Sequence, residues 1–352
     1  MGTINSMKDK ELWLFNLATD LDNPVLAAAH TWIKEFSRHV EKVNVVSTHV
    51  GRYDLPENVE VIELNGGSLK LRISAALKLF RITLRIIKSK TNTLVLHHMS
   101  QKTAAIIGLP LRIAKVNQGL WYSHSAKNFS LLWAQFCVDK IFTSVPGAYP
   151  FNSKKIIYVG HGIEVAKFIR NAEIKRSDPY SILSVGRITP IKNLQDILDA
   201  ISRIPNEIKN QISIDFIGPI EDEVYASNLK KIAARNSIKL RILPGIPYSK
   251  INEIFRSYSI YFSGTPASID KATIEAAISG CFIVTSNHIC LEFLEITNLE
   301  FRGDELDEQL LDIFKLNSDE LILNRVKMSR IAVDKNDVSK TCLNILSNIN
   351  EE

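Results

Sequence analysis

Short runs rich in β-branched residues alternate with longer stretches of helical periodicity along the whole chain. Such alternation predicts βαβ units and mostly parallel sheets. We expect strands in the first half at 12–18, 43–49, 59–64, 93–98, 117–123 and 140–145, and in the second half at 181–186, 212–218, 240–243, 260–263 and 282–285. We expect the intervening helices at 24–39, 69–88, 102–113, 129–139, 194–204, 223–236, 250–258 and 271–279.

The alternation occurs twice, and 352 residues exceed what one hydrophobic core usually serves. We therefore expect an α/β domain over 1–164, a linker over 165–179 and a second α/β domain over 180–335. A final helix over 336–352, with an apolar face that needs covering, is expected to complete the first domain. Two open α/β domains leave a cleft outside the carboxyl ends of their strands, where ligands usually bind.

Composition excludes several classes of protein. Hydrophobic residues at 45% and charged residues at 23% exclude disordered and fibrous chains. Four cysteines without a C-x-x-C or Cys/His cluster indicate neither a disulfide framework nor structural zinc. No apolar run is long enough to span a membrane, and the N-terminus lacks a signal-peptide pattern. We expect a cytoplasmic protein, with contact at the inner face of the cell membrane left open.

The segment from Ser68 to Lys90 contains seven bases and no acid. Its apolar residues recur three or four positions apart, which on a helix makes a stripe bordered by cations. One interpretation is a helix lying on an anionic bilayer surface. The other is a domain helix packed on a sheet with a solvated basic face. Nucleic acid is disfavoured as a partner, because no aromatic platform is interleaved with the bases.

A candidate phosphate site lies in the run Ser184-Val185-Gly186-Arg187-Ile188-Thr189-Pro190-Ile191-Lys192-Asn193-Leu194. A predicted strand ends at Gly186, and two cations, Arg187 and Lys192, precede the next helix. A helix N-terminus offers free N–H groups and partial positive charge, so cations held there suit a diphosphate. The alternative is that both are ordinary solvated surface charges.

A candidate ribose site follows the fourth strand of the second half. Glu275 is flanked by Ile274, Ala276, Ala277 and Ile278, so its carboxylate is expected to need hydrogen-bond donors away from solvent. A vicinal diol such as a ribose supplies two donors. An ion pair within the chain is the alternative.

These motifs together resemble the retaining group 1 (family 4-like) glycosyltransferases of the GT-B fold, an α/β fold with two Rossmann-like domains and a cleft between them. The resemblance covers 181–287, through V-G-R-x-x-P-x-K-N at 185–193, F-I-G at 216–218, L-P-G-x-x-P-x-x-x-I at 243–251 and E-A-x-x-S-G-x-x-I-V-T-S at 275–286. In the first half it is thinner, with W-Y-S-H at 121–124 and Y-V-G-H-G-I-E at 158–164.

The resemblance implies transfer of a sugar from a nucleoside diphosphate to a hydroxyl of a glycan or lipid-linked acceptor, in cell-surface polysaccharide synthesis. The nucleotide-sugar, a UDP- or GDP-sugar, is a substrate, and neither a cofactor nor a metal is implied. Arg187 and Lys192 would neutralise the diphosphate and its growing charge, and His124 would face the donor sugar across the cleft. The other implied donor contacts are Glu275 to the ribose, Gly186, Ile246 near the base, and Asp270, Lys271 and Ala272 along sugar and phosphate.

Three features depart from the family pattern. Ala267 stands where the first glutamate of the usual E-x7-E is expected, and Asp270-Lys271 replaces a glycine-apolar pair. Asp270 could partly substitute as an acceptor for a sugar hydroxyl. The loop at 19–24 lacks the glycines common after the first strand of the family. Ala267 keeps open a rival hypothesis, a non-catalytic GT-B protein that binds or scaffolds within a polysaccharide assembly complex.

Overall fold

The computed structural model describes residues 7–23, 26–64, 69–169, 178–266, 268–296 and 305–351. The chain divides into two compact units, and each is described separately below. Unit 1 consists of Met1–Gly162 together with Asp337–Glu352, and unit 2 consists of Ile163–Asn336.

The strands and helices alternate along both units. The strands are β1 Glu11–Thr19, β2 Lys42–Val50, β3 Val59–Glu63, β4 Thr93–His98, β5 Asn117–Trp121, β6 Lys140–Thr143, β7 Ile156–Tyr158, β8 Ser181–Val185, β9 Ser213–Ile217, β10 Lys239–Leu243, β11 Ile260–Phe262 and β12 Phe282–Val284. The helices are α1 Ala29–Ser37, α2 Leu69–Lys88, α3 Gln101–Ile113, α4 Phe129–Cys137, α5 Val165–Phe168, α6 Leu194–Arg203, α7 Asn206–Lys209, α8 Glu223–Arg235, α9 Ile251–Ser257, α10 Lys271–Ile278, α11 His288–Phe293, α12 Leu306–Lys315, α13 Ser318–Asn336 and α14 Val338–Asn350.

Unit 1 is built on a seven-stranded parallel sheet in the order β3-β2-β1-β4-β5-β6-β7. Side chains alternate between the two faces of each strand, so the sheet has two cores. Leu12 and Leu14 of β1 pack with α1 and α14 on one face. Trp13 and Phe15 pack with α2 and α3 on the other face. Because both faces are covered, the strands are apolar almost throughout.

The C-terminal helix α14 completes unit 1. Its buried residues Val338, Cys342, Ile345, Leu346 and Ile349 join the core formed by α1 and the sheet. Asp337 caps the helix by accepting hydrogen bonds from the backbone N–H groups of Ser339 and Lys340. The apolar spacing seen in the sequence thus corresponds to the face that α14 buries.

Unit 2 contains a five-stranded parallel sheet in the order β10-β9-β8-β11-β12. The chain moves outward from β8 to β9 and β10, then crosses to the other side of β8 for β11 and β12. The order therefore reverses between β8 and β11, the position where open α/β sheets bind ligands at the carboxyl ends of their strands.

Most predicted elements are present with ends that differ by no more than two residues, and β4 and α2 have the predicted bounds. Helix α1 begins later than predicted, at Ala29. The sequence analysis missed the edge strand β7 and the helices α5, α7, α11, α12 and α13. Helix α5 lies in the predicted linker 165–179, of which 170–177 lie outside the described residues. All four cysteines are buried thiols that form no disulfide with one another. In the described parts of the chain, no helix is both long and apolar enough to cross a bilayer.

Truncation of Ile345 to alanine tests the role of α14. Its side chain is fully buried, so Ile345→Ala should lower the free energy of unfolding by about 2–5 kcal/mol. Asn344→Ala, at an exposed position on the same helix, should change it by less than about 0.5 kcal/mol. Urea denaturation followed by circular dichroism measures both. Equal stability of the two variants would contradict the packing of α14 in the core of unit 1.

Candidate functional site

Loops from three strands of unit 2 approach one another closely at the carboxyl end of the sheet. A Cβ atom added at Gly218, after β9, would stand 1.9 Å from the carbonyl oxygen of Gly186, after β8. A Cβ atom added at Gly264, after β11, would stand 2.3 Å from the carbonyl oxygen of Lys192. Both positions therefore require glycine, because no real side chain carbon approaches backbone atoms this closely. The contacts bring the loops that follow β8, β9 and β11 together.

Lys192 lies at the end of a 3₁₀ turn, Pro190–Lys192, that follows β8. The next residue, Asn193, has a left-handed backbone with φ of 44°, a conformation that asparagine tolerates well, and α6 starts directly after it. The lysine stem passes over Gly186, with Cε 3.5 Å from the place a Cβ would take. This local geometry directs the ammonium group toward the loop after β11.

The Lys192 ammonium forms an ion pair with Asp270, which immediately precedes α10. Nζ lies 2.5 Å from Asp270 Oδ2 and 3.5 Å from Thr265 Oγ1, and the Thr265 hydroxyl donates to the same carboxylate oxygen over 2.6 Å. The two charged side chains are only 17% and 28% exposed. A pair this sheltered is screened less by salt than a surface pair, so Asp270 fixes the position of the ammonium group.

Arg187 is in a different environment from Lys192. Its guanidinium is 54% exposed and lies 3.2 Å from Glu221 Oε2, in the loop that follows β9. An exposed pair of this kind contributes about 0–1 kcal/mol to stability, so the guanidinium can exchange Glu221 for another partner with little loss of free energy. Arg187 is thus the more adaptable of the two predicted phosphate-binding cations.

Glu275 is buried in α10, with its side chain 4% exposed. Tyr248 donates a hydrogen bond to Glu275 Oε1 over 2.6 Å, and Lys271 Nζ lies 3.3 Å from the same oxygen. Lys271 also donates to the Tyr248 hydroxyl over 2.9 Å. Tyr248 and Lys271 supply the hydrogen-bond donors that the Glu275 carboxylate was expected to need. The contact with Lys271 corresponds to the ion-pair alternative. Burial, with the nearby Glu275 carboxylate adding to it, raises the pKa of Tyr248 well above its ordinary value, so the phenol remains a donor.

A second ammonium group supports this cluster. Lys167 of α5 lies over the Tyr248 ring, 3.9 Å from its centroid, and donates to the Tyr248 backbone carbonyl over 2.9 Å. Burial lowers the pKa of Lys167, and Glu275 acts against that shift. Tyr248 is therefore held between two ammonium groups, with Glu275 at its hydroxyl.

The remaining predicted residues are distributed as follows. Ile246 is half-buried in the loop after β10, and Ala272 is half-buried in the first turn of α10. His124 is exposed in unit 1, and its Nδ1 accepts a hydrogen bond from the Ala126 backbone N–H over 3.0 Å. When this bond forms, any ring proton of neutral His124 is on Nε2. Ala267 lies outside the described residues.

The ion pair with Asp270 joins Lys192, which follows β8, to the start of α10, where Lys271 and Glu275 also lie. Arg187 follows the same strand as Lys192. Sequence reasoning missed three partners, namely Tyr248, Glu221 and Thr265. Tyr248 lies within the quoted motif at 243–251, and Glu221 lies three residues after the motif at 216–218. Polar residues at these positions were a signal that the sequence analysis could have used. Within the described ranges, no group of three or more His, Cys, Asp or Glu side chains is arranged to hold a metal ion.

Comparison with known proteins gives the following result for unit 2. Residues 165–294 match the family Glycosyl transferases group 1. The matched range contains every predicted site residue except His124. No curated protein matches the chain.

Several solved structures resemble this chain over nearly its whole length. Anabaena HepE in complex with UDP has a TM-score of 0.70 at 14% identity, covering 97% of this chain and 99% of HepE. A glycosyltransferase from Rickettsia africae has a TM-score of 0.70 at 13% identity, covering 97% and 98%. A mutant of S. aureus TarM in complex with UDP has a TM-score of 0.65 at 9% identity, covering 97% and 100%. These similarities confirm the predicted α/β fold of the GT-B class, with two Rossmann-like sheets.

Substitution of Gly264 tests the close approach that positions Lys192. Gly264→Ala would place a methyl group against the Lys192 carbonyl and should destabilise the protein by about 1–3 kcal/mol. Gly245→Ala is the matched control, because its nearest neighbours are 3.5 Å or more away, an ordinary contact distance. Thermal unfolding of both variants provides the measurement. Equal melting temperatures would contradict the backbone packing described here.

Proposed function

We propose that the protein is a retaining glycosyltransferase that moves a sugar from a nucleoside diphosphate to a hydroxyl of a glycan or lipid-linked acceptor. The observation that supports this most directly is the sheltered Lys192–Asp270 ion pair, which holds a cation at the N-terminus of α10 beside the switch point of a parallel sheet. Glu275 is buried in the same helix, and Arg187 follows the same strand as Lys192. Cations beside a helix N-terminus suit a diphosphate, and a buried carboxylate suits a ribose diol. The match of 165–294 to group 1 glycosyltransferases supports the same assignment.

Arg187 and Lys192 would act on the diphosphate leaving group. As the bond to the sugar breaks, negative charge grows on the β-phosphate, and preplaced cations stabilise that charge. Arg187 would exchange its exposed contact with Glu221 for charge-assisted bonds to phosphate, each contributing about 1.5–3 kcal/mol. Lys192 would keep Asp270 as its positioning partner while its remaining N–H groups face phosphate.

Glu275 would bind the ribose through the oxygen that its protein partners leave available. The two contacts described above go to Oε1, and an ionised carboxylate has two accepting oxygens. We assign Oε2 to the ribose hydroxyls. Tyr248 and Lys271 then hold the carboxylate in one orientation, and Ile246 and Ala272 would line the base and phosphate ends of the same ligand.

The remaining parts of the proposal concern donor, chemistry and location. UDP is the first donor nucleotide to test, since HepE was solved with UDP and with UDP-glucose.

The sequence offers no obvious enzyme nucleophile, which favours departure of the diphosphate and attack by the acceptor on one face of the sugar, with His124 near that sugar. We propose that the two cations replace a metal ion, so that chelators leave the rate unchanged. A role in cell-surface polysaccharide synthesis, at the cytoplasmic side of a membrane through 68–90, completes the hypothesis.

A thermal-shift panel tests the binding roles. A ligand at about 100 times its Kd adds about 2.7 kcal/mol of stability, and we expect this from UDP or GDP. Lys192→Ala should reduce the shift from both the nucleotide and inorganic pyrophosphate. Glu275→Gln should reduce only the nucleotide shift, because the amide has one accepting oxygen and Tyr248 occupies it. Lys230→Ala, an exposed change on α8, is the control.

Each variant is compared with its own ligand-free melting temperature, so altered stability does not mimic lost binding. A wild-type protein that no nucleoside diphosphate stabilises would overturn the catalytic proposal and support the scaffold alternative. Equal loss of pyrophosphate and nucleotide binding in Glu275→Gln would contradict the ribose assignment alone.

Turnover tests the role of the cations in the reaction. With the donor selected by the panel, release of nucleoside diphosphate is measured for Arg187→Ala, Lys192→Ala and the control Lys230→Ala. Loss of one preplaced donor to a developing oxyanion lowers kcat by roughly 10²–10³-fold, and we expect losses of that order for each site variant. Added EDTA should leave the wild-type rate unchanged. Wild-type turnover in both site variants would rule out transition-state stabilisation by these side chains.

A further inference from the structure

Three helices of unit 1, α2, α3 and α4, form one layer on one face of the seven-stranded sheet. Helix α2 contacts α3, and α3 contacts α4. Their inward residues fill the cores that contain Trp13, Phe15 and Leu120 of the sheet. The outward side of this layer, here called the α2–α4 surface, faces solvent. Its composition is unlike that of an ordinary solvated helix surface.

Helix α2 is apolar on two sides. Leu79, Ile82 and Ile86 are buried against the sheet. At about 100° per residue, a second set falls in a single sector of roughly 60° on nearly the opposite side of the helix. This set is Ile73, Leu77, Phe80 and Leu84, which are 43–61% exposed. The stripe noted in the sequence therefore includes residues that the domain core does not use.

The apolar character continues across the other two helices. Exposed large apolar residues on α3 and α4 are Ile106, Ile113, Phe129, Leu132, Trp133 and Phe136. On α4 the rings of Trp133 and Phe136 stack with their centroids 5.4 Å apart. Contiguous exposed apolar patches of this kind mark interaction surfaces.

The helices of the α2–α4 surface contribute basic residues and no acidic ones. From 64 to 138 the sequence contains no acidic residue and eleven bases, so the remainder of the chain carries 32 bases against 38 acids. Exposed bases border the apolar residues, among them Lys78, Arg81, Arg85 and Lys88. Arg81, Arg85 and Lys88, with Leu84, Ser89 and Glu11, line a depression of about 530 Å³. Its three cations suit a phosphate group.

An anionic lipid bilayer satisfies both properties of this surface, whereas nucleic acid and a second copy of this chain each satisfy one. Nucleic acid would neutralise the bases but leave the exposed Phe80 and Phe136 without an apolar partner. A second copy of this chain would cover the apolar residues but would place bases against bases. A bilayer buries apolar side chains at the boundary of headgroups and acyl chains, while anionic headgroups attract the surrounding cations.

We propose that the whole α2–α4 surface docks on an anionic lipid bilayer. Ile73, Leu77, Phe80 and Leu84 of α2 and Phe129 and Phe136 of α4 enter the interfacial layer, and Arg81 and Lys88 bind headgroup phosphates. The docking surface thus extends beyond the basic segment 68–90 to α3 and α4. This inference does not depend on the catalytic proposal, because none of these residues belongs to the nucleotide site of unit 2.

Co-flotation of the full-length protein with lipid vesicles tests the inference. The probes are pure phosphatidylcholine vesicles and vesicles of phosphatidylcholine with one quarter phosphatidylglycerol. We expect at least tenfold tighter binding to the anionic vesicles, and weaker binding in 0.5 M NaCl, since each base near the surface is worth about 1 kcal/mol. Equal partition onto neutral and anionic vesicles, or onto neither, would overturn the proposal.

Three sets of exposed substitutions locate the surface. Leu77→Ser with Phe80→Ser removes apolar groups from α2, Phe129→Ser with Phe136→Ser removes them from α4, and Arg81→Gln with Lys88→Gln removes charge. Each set should weaken binding to anionic vesicles at least about fivefold, the equivalent of 1 kcal/mol. The matched control, Val224→Ser with Lys230→Gln on α8 of unit 2, should bind as the wild type does.

The pattern of losses decides between the occupants. Loss in the α2 set with none in the α4 set would overturn the extended surface. Monomers in place of a wild-type dimer in any of these sets, without loss of vesicle binding, would assign the surface to a second copy. Nucleotide-dependent thermal shifts, measured on the same variants, should remain at the wild-type value, which separates failure of docking from failure of the proposed function.

Discussion

The close backbone contact between the loops after β8, β9 and β11 is the constraint on which the candidate site depends. Gly218 lies against the Gly186 carbonyl, and Gly264 lies against the Lys192 carbonyl. These contacts leave no space for side chains between the loops. Polar groups that are 78 residues apart in sequence, such as Lys192 and Asp270, consequently meet at 2.5 Å. The strand order adds to this effect, because β8 and β11 are neighbours at the switch point of the sheet.

Every cation of the site faces a carboxylate, and the burial of each pair differs in a way that suits its proposed role. The Arg187–Glu221 pair is exposed and weak, so it can open for a ligand. The Lys192–Asp270 pair is sheltered, so it fixes one ammonium group in place. The Glu275 carboxylate is the most deeply buried, and breaking its contacts with Tyr248 and Lys271 would leave an uncompensated charge. Burial therefore increases from the adaptable Arg187–Glu221 contact to the rigid contacts of Glu275.

The sequence allowed prediction of every strand except β7 and of the side chains on the β8 and α10 loops, because periodicity and glycine positions are local signals. It did not allow prediction of the partners of those side chains. Tyr248 reaches Glu275 from the loop after β10, and no local pattern reports a contact across 27 residues. The buried carboxylate was expected from its apolar neighbours, but the choice between a diol and an ion pair depended on tertiary contacts. The helices α5 and α7, with four residues each, are too brief for periodicity to identify.

Helix α2 shows why a correct helix assignment can leave its role undecided. Its apolar residues at spacings of three and four form two sectors, and a count of periodicity alone does not say which sector meets the sheet. The structure buries Leu79, Ile82 and Ile86, so the helix does pack in the domain. The sector with Leu77 and Phe80 remains exposed. The two sequence interpretations, a core-facing helix and a surface-binding helix, are therefore compatible, since each uses a different side of the same twenty residues. A helix needs only one apolar side to fold onto a sheet, and the retention of a second, bordered by bases alone, requires an explanation outside the fold of unit 1.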